Sequence, residues 1–534
     1  MGRYSNRKRS IGGAVALLIA ISVQAQPKLV VQVVVDQMRA EYLQRFNHQF
    51  AEDGGFRILL DEGKVYRNTH YNYIPTYTGP GHASISTGTT PKYHGIVAND
   101  WWVKESQYEM YCVEDTTVSP IGTIENSSRR SPKNLRALTF SDGIKLFTNQ
   151  RGKSFGVSVK DRGAILPAGH FADGAYWVDR KMHFVSSSFY GDELPDYIEK
   201  YNEKEHAMAM AKKDWKLEMA ERKYDESLAD ENPFEPKINK GTSSFPYDLE
   251  KLIHNQSLKK LIDSQGLEVL KNTPIGNELV LDMALLILEK EELGKDKYTD
   301  FLGVSFSSTD YAGHTFGVRS REVHDMYLKL DRQLGKLIKK LDKEVGRDAY
   351  VIYLTADHGA SENPNHLAYH GLGVRNFQNA DVIGDVNERI KEELGIENAV
   401  FKIFNHHIHL NSWAKERAGE IALVVEATDP FMRVYTASEV RNSGNDALLE
   451  LLHEGHQSRF GGDLIFALQP NCIFYGPYGS THGSGFLYDT HVPFLLMGSG
   501  VKKGESFKRV DVTNIVDKVA EKCNLPYAPN SLVE

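Results

Sequence analysis

Several short apolar segments of this chain run directly into acidic residues, and this feature constrains the fold more than any other. Lys28–Val35 is a β-branched run followed at once by Asp36. Phe301–Phe306 and Ala349–Thr355 are similar runs, and each precedes an aspartate within a few residues. Continuous apolar runs of this length are typical of strands buried on both faces in a parallel sheet. The sequence therefore predicts an α/β fold with a mostly parallel central sheet.

Candidate ligands cluster where these predicted strands end. They are Asp36, Asp310, His314, Asp357 and His358, and His482 follows a further predicted strand, Leu464–Leu468. Open α/β sheets bind ligands at the carboxyl ends of their strands. Asp310 and His314 are one helical turn apart, so both can face one ion if a helix begins after the strand. We expect Gly359 to permit the turn that lets Asp357 and His358 both reach inward.

Helical patterns alternate with the strands, as a sheet flanked by helices requires. The clearest are Asn277–Glu291 and the long amphipathic segment Arg321–Val345. Residues 26–534 are interpreted as a single catalytic domain with surface insertions at about 190–260 and 371–461. The first insertion is expected to be helical, and Leu464–Leu468 is expected to return the chain to the central sheet. The second insertion contains His406-His407-Ile408-His409, which we interpret as ordinary surface histidines.

The N-terminus predicts export. Basic residues precede the apolar run Ile11–Val23, which ends in Val-Gln-Ala25, the pattern of a secretory signal peptide over residues 1–25. No other segment reaches the length of a stable membrane span, so a secreted or periplasmic protein is expected. A net charge of -8 without a long basic run argues against nucleic acid as a partner. Cys112, Cys472 and Cys523 fit no zinc motif and are interpreted as buried apolar cysteines.

Thr78 is the candidate nucleophile. It precedes Gly-Pro-Gly in a loop that runs into a predicted helix, with Pro80 suited to the first helical position. A hydroxyl at such a helix start faces free backbone N–H groups and the positive end of the helix dipole, which favour an alkoxide or a bound phosphate. The alternative is a threonine that only caps the helix.

Two cations and an amide complete the candidate site. Lys160 and Arg162 follow the apolar strand Ser154–Val159, and at alternate spacing they point to the same side. A solvated surface pair is the alternative for these two residues. Asn99 ends the segment His94-Gly-Ile-Val-Ala-Asn99 and could donate a hydrogen bond to a bound phosphoryl group.

Oxygen and imidazole ligands without thiolate suit Zn²⁺ better than Mn²⁺, Co²⁺ or Mg²⁺, and the ligands suggest two sites. One ion could lower the pKa of the Thr78 hydroxyl while the other stabilises the leaving oxygen. Attack by Thr78 would give a phospho-threonine that water later hydrolyses. Lys160 and Arg162 would bind the non-bridging phosphoryl oxygens.

These motifs resemble those of the alkaline phosphatase superfamily, in the family order and over a core from about Lys28 to Asn524. The motifs are Val35-Asp36, Thr78-Gly-Pro-Gly-His82, His94-Gly-Ile-Val-Ala-Asn99, Thr309-Asp310-Tyr-Ala-Gly-His314, Ala356-Asp357-His358-Gly359 and Thr481-His482-Gly-Ser484. The resemblance implies an exported alkaline phosphatase that acts on phosphate monoesters. It implies one Zn²⁺ on Asp310, His314 and His482, and a second on Asp36, Thr78, Asp357 and His358. It also implies that Asn99, Lys160 and Arg162 contact the phosphate.

Two other functions remain open at this stage. A nucleotide pyrophosphatase or phosphodiesterase of the same superfamily shares the threonine and the metal ligands, but a diester has fewer charged oxygens to match Lys160 and Arg162. A non-catalytic metal- or phosphate-binding protein would need the same acids without an activated hydroxyl. The expected oligomeric state is a monomer.

Overall fold

The computed structural model describes residues 26–525, apart from residues 105, 239–240, 262–265, 443 and 445. The predicted signal peptide, residues 1–25, lies outside the described residues. In chain order the strands are β1 (Leu29–Val35), β2 (Lys64–His70), β3 (Asp100–Val103), β4 (Tyr108–Tyr111), β5 (Pro120–Ile121), β6 (Ser154–Ser158), β7 (Gly174–Val178), β8 (Phe184–Ser187), β9 (Asp300–Phe306), β10 (Tyr350–Thr355), β11 (Asn376–Phe377), β12 (Val400–Phe404), β13 (His407–Leu410), β14 (Phe431–Thr436), β15 (Leu464–Leu468), β16 (Ile473–Phe474), β17 (His491–Gly498), β18 (Gly504–Ser506) and β19 (Val510–Asp511).

The α-helices surround these strands. They are α1 (Tyr42–Arg45), α2 (Gly55–Glu62), α3 (Thr78–Thr87), α4 (Pro91–His94), α5 (Phe140–Phe147), α6 (Asp161–Ala168), α7 (Asp196–Asn202), α8 (His206–Ala211), α9 (Leu249–Ile253), α10 (Gln256–Leu261), α11 (Pro274–Lys290), α12 (Ser308–Phe316), α13 (Arg321–Glu344), α14 (Pro364–Tyr369), α15 (Asn379–Leu394), α16 (Ala418–Glu426), α17 (Ala437–Arg441), α18 (Ala447–Gly455), α19 (Leu487–Thr490) and α20 (Ile515–Cys523). None of the described helices is long and apolar enough to cross a membrane.

The central sheet confirms the predicted fold class. Its main order is β18-β2-β17-β10-β1-β9-β6-β7-β8-β5, and β19 also pairs with β2. The five neighbouring strands β10, β1, β9, β6 and β7 run parallel, whereas β17 is antiparallel to β10 and β2. Every residue of β1, β9 and β10 is buried, as β-branched and apolar runs require when helices cover both faces.

The second insertion has its own sheet and core. Strands β12, β13, β15 and β14 form a four-stranded antiparallel sheet. Its apolar cluster includes Val386, Ile408, Val425 and Phe466. The prediction that Leu464–Leu468 joins the central sheet is therefore wrong. An apolar strand does not encode which sheet it joins, because pairing partners lie far away in the sequence.

The interpretation of His406, His407 and His409 as surface histidines is also wrong. All three are buried: His407 and His409 lie in β13, an inner strand of the four-stranded sheet, and His406 directly precedes it. The His406 ring stacks on Phe466, and its Nδ1 atom lies 3.0 Å from the carbonyl oxygen of that residue. The cysteine prediction is confirmed: Cys112, Cys472 and Cys523 are buried and free.

The first insertion is less helical than predicted. Between residues 190 and 260 the described helices are α7, α8, α9 and most of α10, and turns fill much of the rest. Buried aromatic residues of this segment, such as Trp215 and Tyr247, join the main hydrophobic core. Asp325 of α13 anchors it by accepting hydrogen bonds from Trp215 Nε1 at 2.7 Å and from the Glu218 backbone N–H at 2.6 Å. The segment is thus packed on α13 and is not a loose surface addition.

Candidate active site

Thr78 is the first residue of α3, and Tyr77 occupies the N-cap position. The threonine is 1% exposed. The sequence predicts Pro80 at the first helical position, but Pro80 is the third residue of α3. The missing N–H of Pro80 costs nothing there, because the N–H groups of the first turn have no partner within a helix. The first intrahelical bond runs over 2.8 Å from the Gly81 N–H to the Tyr77 carbonyl.

Six predicted ligands form two groups, and within each group the ligand atoms lie within 4.8 Å of one another. One group is Asp36, Asp357 and His358, and the other is Asp310, His314 and His482. Asp36, Asp357 and Asp310 follow β1, β10 and β9, which are neighbours in the sheet. His482 comes from the loop between β16 and α19. The predicted helical turn between Asp310 and His314 is present in α12, with Oδ1 3.1 Å from Nε2.

The three histidines share one orientation. Each Nδ1 atom faces a backbone carbonyl oxygen, which can only accept, so Nδ1 carries the proton. The pairs are His358 with Gly359 at 2.8 Å, His314 with Ser480 at 2.7 Å and His482 with Thr76 at 2.8 Å. Each Nε2 atom faces a carboxylate, and in the neutral imidazole it is the nitrogen with a free lone pair. A ring nitrogen fixed in this way by a backbone carbonyl is the usual arrangement of a metal-ligating histidine.

Buried carboxylate oxygens in the first group lack hydrogen bonds. Within the described part of the chain, Asp36 Oδ1 and Asp357 Oδ2 are buried and accept none. Burial, followed by the carboxylates of Asp310 and Asp357, raises the pKa of Asp36 to about 7. Burial likewise raises the pKa of Asp357 to about 6 and lowers the pKa of His358 to about 4. Carboxylate oxygens and imidazole nitrogens without thiolate form a donor set that fits Zn²⁺ in both groups.

Lys160 connects the two groups. Its ammonium nitrogen lies 2.7 Å from Asp36 Oδ2 and 2.5 Å from Asp310 Oδ2. It is also 3.4 Å from Thr78 Oγ1, and His358 Nε2 is 3.4 Å from the same oxygen. Burial alone would lower the pKa of Lys160, but the carboxylates of Asp310 and Asp36 raise it above its usual value. The threonine hydroxyl thus lies beside a charged amine and a neutral imidazole.

Lys160 and Arg162 follow β6, as predicted, but they lie at the start of α6, so strand spacing does not decide where they point. They still face the same space, because both line a polar cavity of about 270 Å³. Arg162 donates from Nη1 to the Tyr111 hydroxyl over 2.9 Å. None of the described residues between 190 and 260 lines this cavity, so the first insertion does not cap it.

Asn99 is held close to Thr78 by a hydrogen bond with Gly79, the residue that follows the threonine. The Gly79 N–H donates to Asn99 Oδ1 over 2.7 Å. Because the amide oxygen is used in this way, the NH₂ group of Asn99 is the part left to donate to a ligand. The structure therefore brings Asn99 and Lys160 to the region of Thr78, and Arg162 shares a cavity with Lys160.

Two residues in the site were not predicted. Gln37 donates hydrogen bonds to Asp357 and Asp310, and His82 Nε2 lies 3.5 Å from Asp357 Oδ2 and 3.2 Å from Ser305 Oγ. The available signals were local: Gln37 directly follows Asp36, and His82 is one helical turn after Thr78. Gly359 acts differently from the prediction, because a Cβ there would lie 2.1 Å from the Tyr488 carbonyl oxygen. It permits close packing, and its φ is not in the left-handed region.

Comparison with known proteins confirms that this fold is that of the alkaline phosphatase superfamily. The family of type I phosphodiesterases and nucleotide pyrophosphatases matches residues 30–483. The chain belongs to this family.

The similar proteins match along nearly the whole chain. Alkaline phosphatase PafA of Elizabethkingia meningoseptica is 36% identical over 93% of this chain and 91% of its own. A protein of Myroides odoratus named a calcium-transporting ATPase is 37% identical, with the same coverage of 93% and 91%. The crystal structure of wild-type alkaline phosphatase PafA has a TM-score of 0.87 at 34% identity and covers 94% of this chain and 96% of its own.

We predict that Gly81→Ala disrupts the site. A Cβ at Gly81 would lie 2.2 Å from the backbone oxygen of Asp357 and 2.7 Å from its Cβ, so α3 must move away from the ligand. A displacement of about 1 Å can cost about 100-fold in rate, and we expect a loss of this order in the hydrolysis of a chromogenic phosphate ester.

Gly384→Ala in α15 is the matched control, since a Cβ there meets nothing within 4 Å. It should leave activity unchanged and keep or raise the melting temperature, because alanine is the better helix former. Full activity in Gly81→Ala would contradict the importance of this contact.

Proposed function

We propose that this protein hydrolyses phosphate monoesters at a two-zinc site through a phospho-threonine formed on Thr78. The observation that carries the proposal is the position of the Thr78 hydroxyl. It lies at a helix N-terminus, 3.4 Å from both Lys160 Nζ and His358 Nε2. The alkaline phosphatases among the similar proteins support the monoesterase activity.

The two ligand groups would each hold one Zn²⁺, with Thr78 as an additional ligand beside Asp36, Asp357 and His358. When bound, the ions supply Lewis acids that lower the pKa of the threonine hydroxyl and stabilise charge on the leaving oxygen. The carboxylates of both groups offset the charge of the ions. The Nδ1–H bonds to backbone carbonyls hold the imidazoles in the orientation that binding needs.

In the proposed reaction the Thr78 hydroxyl gives its proton to solvent, and Oγ1 attacks phosphorus while the bond from phosphorus to the ester oxygen breaks. The leaving oxygen departs with the electron pair and takes a proton from solvent. Water then attacks the phospho-threonine, which releases phosphate and restores the hydroxyl. Arg162, Lys160 and the NH₂ group of Asn99 would donate hydrogen bonds to the non-bridging oxygens throughout.

Phosphodiester hydrolysis is the second candidate, because the matching family is named for that activity. Two cations at one phosphoryl group favour the monoester, which presents more charged oxygens than a diester. Lys160 and Arg162 line one cavity together, so both can face one bound anion. A non-catalytic binding protein would not need a hydroxyl beside His358 and Lys160.

The remaining parts of the proposal concern the whole chain. We propose that residues 1–25 direct export to the periplasm or the medium. Residues 26–534 then form one catalytic domain, acting as a monomer on small phosphate monoesters, with a first insertion at about 190–260 and a second that begins at about 371 and extends through β15.

Thr78→Ala should lower kcat by roughly 1,000-fold or more, since removal of a nucleophile abolishes the covalent route. Acid quenching of the wild-type protein during turnover, followed by digestion, should locate phosphate on Thr78. Thr78→Ser is the control, because it keeps a hydroxyl and should still form the phosphoenzyme. Phosphate on Ser84, Ser86 or Thr87 would contradict the assignment.

Removal of metal should abolish turnover, and Zn²⁺ should restore it with two ions bound per chain. Asp310→Asn should lose one ion and most activity, because it removes an anionic ligand from one group. Asp385→Asn, at an exposed position of α15, should keep both. Full activity with a single ion per chain would refute the two-ion proposal.

The double variant Lys160→Ala, Arg162→Ala should lose monoesterase kcat/KM by several orders of magnitude and diesterase activity by much less. A diester lacks one charged oxygen, and leaving a buried cation unpaired costs about 1–3 kcal/mol or more. Arg332→Ala, Lys336→Ala on the exposed face of α13 removes the same charge and should change neither activity. Equal losses of both activities would show that the pair does not set the preference.

A further inference from the structure

Gln37 is a buried amide between the two ligand groups. It directly follows β1 and Asp36, and it is 3% exposed. Its φ of +64° lies in the left-handed region, which is unfavourable for a residue with a side chain. This conformation turns the chain at the end of β1, so that the backbone N–H and the side chain of the same residue both reach carboxylates.

The two hydrogen bonds of Gln37 go to different groups. Its backbone N–H donates to Asp357 Oδ1 over 3.2 Å, and its side-chain Nε2 donates to Asp310 Oδ1 over 2.6 Å. Asp357 belongs with Asp36 and His358, whereas Asp310 belongs with His314 and His482. Lys160 is the other residue described above that bonds to both groups, but it carries charge and faces the cavity.

The side-chain amide of Gln37 packs against the backbone of α12 at Gly313. A Cβ at Gly313 would lie 1.8 Å from Gln37 Oε1 and 2.8 Å from its Cδ. Any side chain at position 313 would therefore push the amide away from Asp310. Gly313 lies between Asp310 and His314, so α12 supplies two ligands and also the space in which Gln37 binds one of them.

We propose that Gln37 is a positioning residue that fixes the Asp310 carboxylate relative to the Asp357 carboxylate, and so sets the affinity of the Asp310, His314 and His482 group for its ion. This inference rests on the proposed two-zinc function. A neutral amide suits this role, because it orients a carboxylate without neutralising it. Loss of such an outer partner of a ligand typically lowers metal affinity by about 10- to 100-fold.

The test compares Gln37→Ala with Gln32→Ala, measured by zinc competition against a chromogenic chelator and by the visible absorption of the Co²⁺-substituted protein. Gln32 is a matched control: it is a fully buried glutamine in β1 whose amide bonds to Tyr353 and Ser86. Gln37→Ala should lower the affinity for one of the two ions by about 10- to 100-fold and change the visible absorption spectrum of the Co²⁺-substituted protein. Gln32→Ala should lower only the melting temperature.

Gly313→Ala provides an independent way to displace the amide. In the wild-type background Gly313→Ala should lower the affinity for the same ion. In the Gln37→Ala background it should lower that affinity little further, because the clashing amide is gone. Two ions bound as tightly by Gln37→Ala as by Gln32→Ala would overturn the inference, even if stability fell. Fewer than two ions in the wild-type protein would instead contradict the proposed function itself.

Discussion

The rest of the site depends on three buried carboxylates at the ends of neighbouring strands. Asp357, Asp36 and Asp310 follow β10, β1 and β9, and all three are essentially unexposed. Like charges buried together are unfavourable unless cations or hydrogen-bond donors compensate them. Lys160 supplies one positive charge, Gln37 supplies two hydrogen bonds, and the orientation of the histidines leaves lone pairs for bound ions. The buried negative charge of the three aspartates thus requires cations and hydrogen-bond donors around them.

The helices that begin at the same edge of the sheet supply the opposite polarity. Thr78 begins α3, and Lys160 and Arg162 lie at the beginning of α6. A helix start presents free N–H groups and positive potential. The site is therefore acidic on the strand side and electropositive on the helix side. A phosphoryl group between ions, cations and a hydroxyl is the ligand that this polarity favours.

The second insertion adds a sheet beside this core and contacts the segment that carries Asn99. Asn405, in the turn between β12 and β13, donates to the carbonyl of Asp100, which follows Asn99. The loop that carries His482 follows the insertion and is held by Asp489, whose Oδ2 accepts from the N–H groups of Gly483 at 3.1 Å and Ser484 at 2.7 Å. The insertion thus contacts Asp100 beside the site, whereas the loop that carries His482 is held by hydrogen bonds to Asp489 of the core.

The sequence by itself determined the local features. Buried strands and the acids that follow them are consecutive in the chain, and Asp310 and His314 are related by one helical turn, so both could be predicted. The motifs also identified the superfamily. Only the tertiary structure decided that β15 joins the second sheet, that His406 to His409 are buried, and that Gln37 connects Asp357 to Asp310. Those features depend on contacts between segments far apart in the chain, which apolar patterns and residue spacing do not encode.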